Sequence, residues 1–107
     1  MKWQNKVQLI GYLGKDPAVY PLPKGGYCAV LSLATNDGFT REGKSRETFW
    51  HTIKIWGRNL AHIQQQFMTG SHVLVEGELV YRFYQDTNGH YCSRAEIRAA
   101  NLVNLDR

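Results

Sequence analysis

The stretch that decides the fold is residues 48–84, "TFWHTIKIWGRNLAHIQQQFMTGSHVLVEGELVYRFY". The hydrophobic spacing alternates over 47–56, which begins one residue before the quoted stretch, takes a helical period over 58–67, and alternates again over 72–84. Gly70 follows the helical part, where helices commonly end. Gly77 lies inside the last alternating run, where a glycine often marks a bulge or a barrel corner. The stretch therefore predicts two strands with a short helix between them.

Three more strands are predicted on either side of this stretch. Residues 6–13 alternate, residues 27–35 are apolar on both faces for part of their length, and residues 91–98 with the following "NLVNL" give a last strand with an interruption. The sequence "QDTNG" is typical of a β-hairpin turn. Residues 14–26 hold all three prolines and three glycines, which predicts an irregular connection.

Five strands with a helix between the third and the fourth predict one all-β domain over residues 1–107. The pattern favours a small, partly open five-stranded Greek-key barrel. The OB-fold is a barrel of this kind and binds oligonucleotides on one face. A plain β-sandwich is the structural alternative.

The composition is that of a globular protein with a small basic excess. Hydrophobic residues make up 43% and charged residues 21%, the net charge is +4 and the sequence pI is about 9.2. Such a charge agrees with an anionic partner and equally with an ordinary basic protein. Since neither a signal peptide nor a membrane span is visible, a cytoplasmic location with reduced Cys28 and Cys92 is expected.

The alternation over residues 48–56 puts aromatic rings on both faces of one strand. One face is mostly apolar and suits a core. The other face carries Trp50 and Trp56 with Lys54 between them, and Arg58 follows. The two tryptophans would lie roughly 20 Å apart along a strand, so they would serve different nucleotides.

Exposed rings among cations indicate single-stranded nucleic acid. Proteins that bind single strands stack bases on aromatic side chains, at about 1–3 kcal/mol per base, and contact phosphates with Lys and Arg. Arg82 and Tyr84 share one face of the fourth predicted strand, and Phe39 lies in a basic loop. A tryptophan in a β-protein is more often packed in a core or a subunit interface, so only the combination supports binding.

The chain resembles the bacterial single-stranded DNA-binding proteins of the SSB type. The resemblance rests on "NKVQLIGYLGKDP", "LSLATND", "WHTIKIWGRNLA", "GSHVLVEGEL" and "YRFYQDTNGHY", which occur in the family's order and spacing from about Asn5 to Leu105. It implies an OB-fold that assembles as a homotetramer, with a dimer as the alternative. It also implies single-stranded DNA as the partner, in replication, recombination and repair, with proteins of those processes as further partners.

The resemblance also implies functional residues. His51 matches a structural histidine of the family that faces a subunit contact. The bases would stack on aromatic side chains, and the strand's phosphates would contact cations. The expected nucleic-acid contacts are Phe39, Trp50, Trp56 and Tyr84 for the bases and Lys6, Arg41, Lys44, Lys54, Arg58 and Arg82 for the phosphates.

Some positions depart from the family pattern. Thr52 stands where arginine is common, and Met68 and Thr69 replace basic residues, which suggests fewer phosphate contacts. The chain stops at "VNLDR", without the family's Gly/Pro/Gln-rich linker and acidic tip. This leaves open a trimmed core, a plasmid-borne or accessory paralogue, and a primosomal protein of the PriB type.

Two other classes of function are rivals. A nuclease would need clustered carboxylates, and only Glu76 and Glu78 share a strand face closely. The sequence has neither a Walker motif nor a CxxC pair, so we expect no catalysis, no cofactor and no metal. A protein-binding adaptor is the second rival, whose contacts would weaken less with salt than DNA binding does.

Overall fold

A computed structural model describes residues 3–36, 42 and 47–106 of the chain. The elements are β1 (Val7–Leu13), β2 (Ala18–Pro21), β3 (Tyr27–Asn36), β4 (Thr48–Gly57), α1 (Ala61–Gln66), β5 (His72–Gln85) and β6 (Tyr91–Asn104). They form one sheet in the order β1-β5-β6-β4-β3-β2, and a further pairing of β1 with β3 closes it. The predicted barrel is confirmed and the sandwich alternative is wrong, because one sheet closes on itself.

The sheet has six strands where five were predicted. The extra strand is β2, which lies inside the segment 14–26 and pairs antiparallel with β3 from Ala18↔Val30 to Pro21↔Tyr27. The prediction of an irregular connection is wrong for these four residues. Pro21 fits here because β2 is an edge strand, where a missing N–H removes no ladder hydrogen bond.

The core fills the barrel from β3, β4 and β5 and from α1. Leu31, Leu33 and Ile53 are buried, and so are three side chains around the helix: Leu60, Ile63 and Phe67. The predicted helical face is therefore confirmed. The helix begins at Ala61, three residues later than predicted. At its start, the backbone N–H of Ala61 donates a hydrogen bond to Oδ1 of Asn59 at 3.1 Å. Among the described residues, no helix is long and apolar enough to cross a bilayer.

A β-bulge opposite Gly77 shapes the far half of the sheet. Glu76 pairs with Asn101 but Gly77 pairs with Ala99, so β6 carries one extra residue. A Cβ on Gly77 would lie 2.1 Å from the Arg98 carbonyl oxygen, which explains the glycine. The interruption predicted in the last strand is this bulge, and β6 continues through it.

Beyond the bulge, β5 and β6 extend as a hairpin arm whose side chains are mostly exposed. The predicted turn is confirmed. The N–H of Asp86 donates to the His90 carbonyl at 2.9 Å, and Oδ1 of Asp86 accepts from the N–H groups of Asn88 and His90. Gly89, at φ +81°, takes the left-handed conformation that the turn requires. The turn fixes the cross-strand register of the arm.

Candidate nucleic-acid interface

In the middle of β4 the two faces differ as the alternation predicts. The prediction is wrong for Phe49, which has the parity of the core side but is 43% exposed, because it lies near the start of the strand and outside the core cluster. On the core side Ile53 is completely buried. On the other side, which we call the outer face, the side chains of Trp50 and Trp56 are 60% and 40% exposed. Two large rings on one strand are therefore open to solvent at the two ends of the same face.

Each tryptophan lies against small neighbours. A Cβ on Gly14 would come within 2.3 Å of the Trp50 ring, so this ring packs directly on a glycine backbone. Trp56 pairs in register with Cys28 of β3, which is 8% exposed. Burial raises the pKa of the Cys28 thiol, so the thiol stays neutral beside Trp56 at ordinary pH. Trp50 thus packs on a glycine, Trp56 stands opposite a small residue, and both keep a large exposed area.

The sheet topology adds β6 and β5 to the outer face. A parallel pairing joins Ile53 with Ile97 and Lys54 with Arg98, which sets β6 beside β4. Residues directly paired across strands share a face, so every second side chain of β6 and its partner on β5 continues the outer face. Between the bulge and the turn, the charged and aromatic side chains among them are Arg98, Glu96 and Arg94 on β6 and Glu78, Arg82 and Tyr84 on β5.

Lys54 and Arg82, which were expected to contact phosphates, meet at a buried carboxylate. Glu96 is only 3% exposed, its Oε2 lies 3.0 Å from Nζ of Lys54, and its Oε1 accepts from Nε of Arg82 at 3.1 Å. The side chain of Lys54 is 20% exposed and that of Arg82 is 55% exposed. Arg82 therefore keeps donors that face solvent, whereas Lys54 mainly neutralises Glu96.

The ion-pair triad of Lys54, Glu96 and Arg82 is charged under ordinary conditions. Burial alone raises the pKa of Glu96, but the hydrogen bonds and charges of Lys54 and Arg82 outweigh it and hold the pKa below its ordinary value. The triad thus carries one net positive charge in the middle of the outer face. Sequence reasoning missed Glu96, since it lies 42 residues from Lys54 along the chain.

The hairpin arm carries a second basic aromatic group. The Cζ atom of Arg94 lies 5.8 Å from the centroid of the Tyr84 ring, within cation–π range. Arg82, Tyr84 and Arg94 line one shallow hollow. Sequence reasoning found the first two and missed Arg94. The turn signal "QDTNG" could have found it, because that turn pairs position 82 with position 94.

The remaining expected contacts lie elsewhere. Arg58 is exposed directly after β4. Lys6 lines a separate hollow of about 490 Å³ that also contains Glu76, Glu78 and Arg98, so its surroundings are of mixed charge. The expected contacts Phe39, Arg41 and Lys44 lie outside the residues that the structure describes.

Three side chains that raised other possibilities have ordinary partners. The half-buried His51 has its Nε2 2.8 Å from Oγ1 of Thr35. Glu78 pairs with Arg98, and Glu76 accepts a hydrogen bond from Gln8. Over residues 3–36, 42 and 47–106, no three His, Cys, Asp or Glu side chains are grouped as metal ligands would be.

Comparisons with known proteins agree with this geometry. The family model described as "Single-strand binding protein family" matches residues 4–105 of the chain. A solved structure from Plasmodium falciparum, described as an SSB complex with ssDNA, is similar in fold with a TM-score of 0.83. Its sequence is 30% identical, and the match covers 99% of this chain and 98% of that one.

Proposed function

The chain belongs to the single-strand binding protein family, and from this membership and the outer face we propose that it binds single-stranded DNA without regard to sequence. Bases stack on Trp50, Trp56 and Tyr84, and phosphates contact Arg58 and Arg82. The protein acts as a single non-catalytic domain that protects single strands in replication, recombination and repair. The similarity to the Plasmodium falciparum complex with ssDNA supports this partner.

The observation that carries the proposal is the exposure of Trp50 and Trp56 on one face of β4. Ile53 already supplies the core side of this strand, and the exposed parts of the two indole rings on its other side add nothing to the core. Duplex DNA hides the faces of its bases, so such rings select unpaired strands. In this proposal Lys54 does not contact a phosphate. It pairs with Glu96, and Glu96 in turn holds Arg82 on the outer face, where the DNA would lie.

The proposal is tested by titrating tryptophan fluorescence with oligo(dT) and with duplex DNA of equal length, at low and high salt. A Trp3→Phe background leaves Trp50 and Trp56 as the only indoles. We expect strong quenching by the single strand alone. Each phosphate contact should contribute about 0.7 to the log–log salt slope, so affinity falls as salt rises.

Other outcomes separate the alternatives. Binding without quenching would mean that the strand takes another path across the protein. Absence of binding to oligo(dT) at any salt would refute the proposed function, and the rings would then be tested as a protein-contact surface.

We further propose that the chain forms a homotetramer through the solvent-exposed side of β1, which carries Ile10. Ile10 is 56% exposed and pairs with Leu74, which pairs in turn with Val103, 41% exposed. Beside this row the rings of Tyr12 and His72 stack at 4.6 Å. Within the described part of the chain, residues 7–11 of β1 pair only with β5, so one edge is free for a second copy.

Light scattering on a sizing column tests the assembly. We expect four times the mass of one chain for the natural sequence and a smaller mass for Ile10→Glu, because the new charge would be buried between copies. Phe83→Glu is the control, since Phe83 is 77% exposed on the hairpin arm, away from this row. A monomer mass for the unaltered chain, or no change on Ile10→Glu, would contradict the proposed assembly surface.

A further inference from the structure

An exposed ring that the sequence pattern did not single out lies beside Trp56. Tyr20 of β2 pairs with Cys28 of β3, and Cys28 pairs with Trp56 of β4. The three residues form one row across the sheet and share the outer face. Tyr20 is 56% exposed and Trp56 is 40% exposed, while the small Cys28 between them is buried. The Cα atoms of the two aromatic residues are about 10 Å apart, two strand spacings.

Two cations lie at the end of this row. Lys24 is at the tip of the β2–β3 turn and Arg58 directly follows β4, and both line a hollow of about 410 Å³ with Gly25 and Gly26. The turn is ordered by hydrogen bonds from the N–H of Leu22 to the Gly26 carbonyl and from the N–H of Gly25 to the Leu22 carbonyl, both 3.0 Å.

The turn is packed against the end of β4. A Cβ on Gly26 would lie only 3.2 Å from the carbonyl oxygen of Gly57, so the turn backbone approaches the residue between Trp56 and Arg58. Gly25 and Gly26 both have positive φ, 99° and 81°. Glycine at these positions permits the tight turn that carries Lys24 to the same hollow as Arg58.

The charge in this hollow is not neutralised. Lys54 and Arg82 share Glu96, and Arg98 pairs with Glu78. Lys24 and Arg58, in contrast, form no ion pair with any carboxylate in the described parts of the chain. Two unpaired cations that line one concavity next to exposed rings are suited to a phosphate group.

We propose that Tyr20, Lys24 and Arg58 form an additional nucleotide subsite, which continues the path of single-stranded DNA from Trp56 across β3 onto β2. The Tyr20 ring stacks one base, and Lys24 and Arg58 together hold one phosphate. This subsite rests on the proposed function and lengthens the site by one nucleotide beyond the stacking positions on β4 and β5.

The test measures the affinity of a length series of oligo(dT) for Tyr20→Ala and Tyr27→Ala. Tyr27 is the matched control, because it lies on the same hairpin, is 42% exposed and has the opposite parity on β3. We expect Tyr20→Ala to weaken binding of long oligomers about 5- to 150-fold. The length at which affinity stops rising should be one nucleotide shorter. Tyr27→Ala should change neither quantity.

Further variants separate the ring from the charges. Tyr20→Phe should keep full affinity, and Tyr20→Leu, which keeps an apolar cover over Cys28, should lose it as Tyr20→Ala does. Lys24→Gln combined with Arg58→Gln should lower the log–log salt slope by about 0.7, since one phosphate contact is lost. The unfolding midpoint of each variant checks that the fold is kept, and Tyr20→Leu replaces Tyr20→Ala if the latter unfolds.

The results distinguish the subsite from the proposed function. If Trp50→Ala and Trp56→Ala weaken binding while Tyr20→Leu, Tyr20→Ala and the double glutamine variant match the natural chain, the subsite is refuted and the function stands. If the tryptophan variants also bind as tightly as the natural chain, the stacking function itself fails.

Discussion

Replacing Trp56 or Trp50 with alanine is expected to weaken binding to oligo(dT) by about 1–3 kcal/mol for each ring, while the domain stays folded. The loss follows from the exposed indole faces, which offer each base an apolar, polarisable surface. Because the two side chains are 60% and 40% exposed and neither belongs to the core cluster, their removal takes little from the core. The affinity is measured by fluorescence anisotropy with labelled oligo(dT), and the fold by thermal unfolding.

Phe83→Ala is the matched control for these variants. Phe83 is 77% exposed, but its parity puts it on the opposite face of the hairpin arm from Arg82 and Tyr84. We expect its removal to leave affinity unchanged. The salt slope of the tryptophan variants should match that of the natural chain, since no phosphate contact is lost. Unchanged affinity in both tryptophan variants would rule out stacking on β4.

Replacing Glu96 with alanine is expected to lower the free energy of unfolding by about 3 kcal/mol. The substitution removes the buried carboxylate and leaves the mostly buried ammonium of Lys54 without its partner at 3.0 Å. The loss of Glu96 costs Arg82 less, because its side chain is 55% exposed and its donors can form hydrogen bonds with water. Urea unfolding at neutral pH measures the change.

Glu78→Ala is the control for Glu96→Ala. Glu78 also pairs with an arginine on β6, but the side chains of this pair are 39% and 55% exposed. An exposed pair contributes about 0–1 kcal/mol, so the expected loss is small. If Glu78→Ala and Glu96→Ala lower the free energy of unfolding equally, burial of the triad does not contribute to stability.

The triad also gives stability a defined dependence on pH. The folded state holds the pKa of Glu96 below the ordinary value of 4.5, so the folded state releases this proton more readily than the unfolded state does. The stabilisation is therefore fully present above about pH 4.5 and is lost as the pH falls through the lower folded-state pKa. We expect the free energy of unfolding, measured between neutral and acid pH, to change less with pH in Glu96→Gln than in the natural chain.

Much of the fold is encoded by local patterns. The alternation of Trp50 to Trp56 separated the core side of β4 from its outer face, because strand side chains alternate whatever their partner is. Gly77 and the "QDTNG" turn marked the bulge and the hairpin for a similar reason, since backbone conformations of this kind depend on a few adjacent residues.

The segment 18–21 is one that local sequence patterns failed to predict. Its proline, the prolines on either side and the nearby glycines indicated an irregular connection, but the segment is a strand because Cys28 and its neighbours on β3 supply the hydrogen bonds. A short edge strand exists only with its partner, so composition could not reveal it. For the same reason the sequence did not show that Tyr20 lies in one row with Cys28 and Trp56.

By itself the sequence determined the strands with strong alternation, the helix that covers the core, and the face of β4 that carries Trp50 and Trp56, because each depends on residues a few positions apart. Only the tertiary structure decided which charges are free. Lys54, Arg82 and Glu96 come from three strands and meet through the parallel pairing of β4 with β6. That pairing depends on the closure of the whole sheet, so no short stretch of sequence contains it.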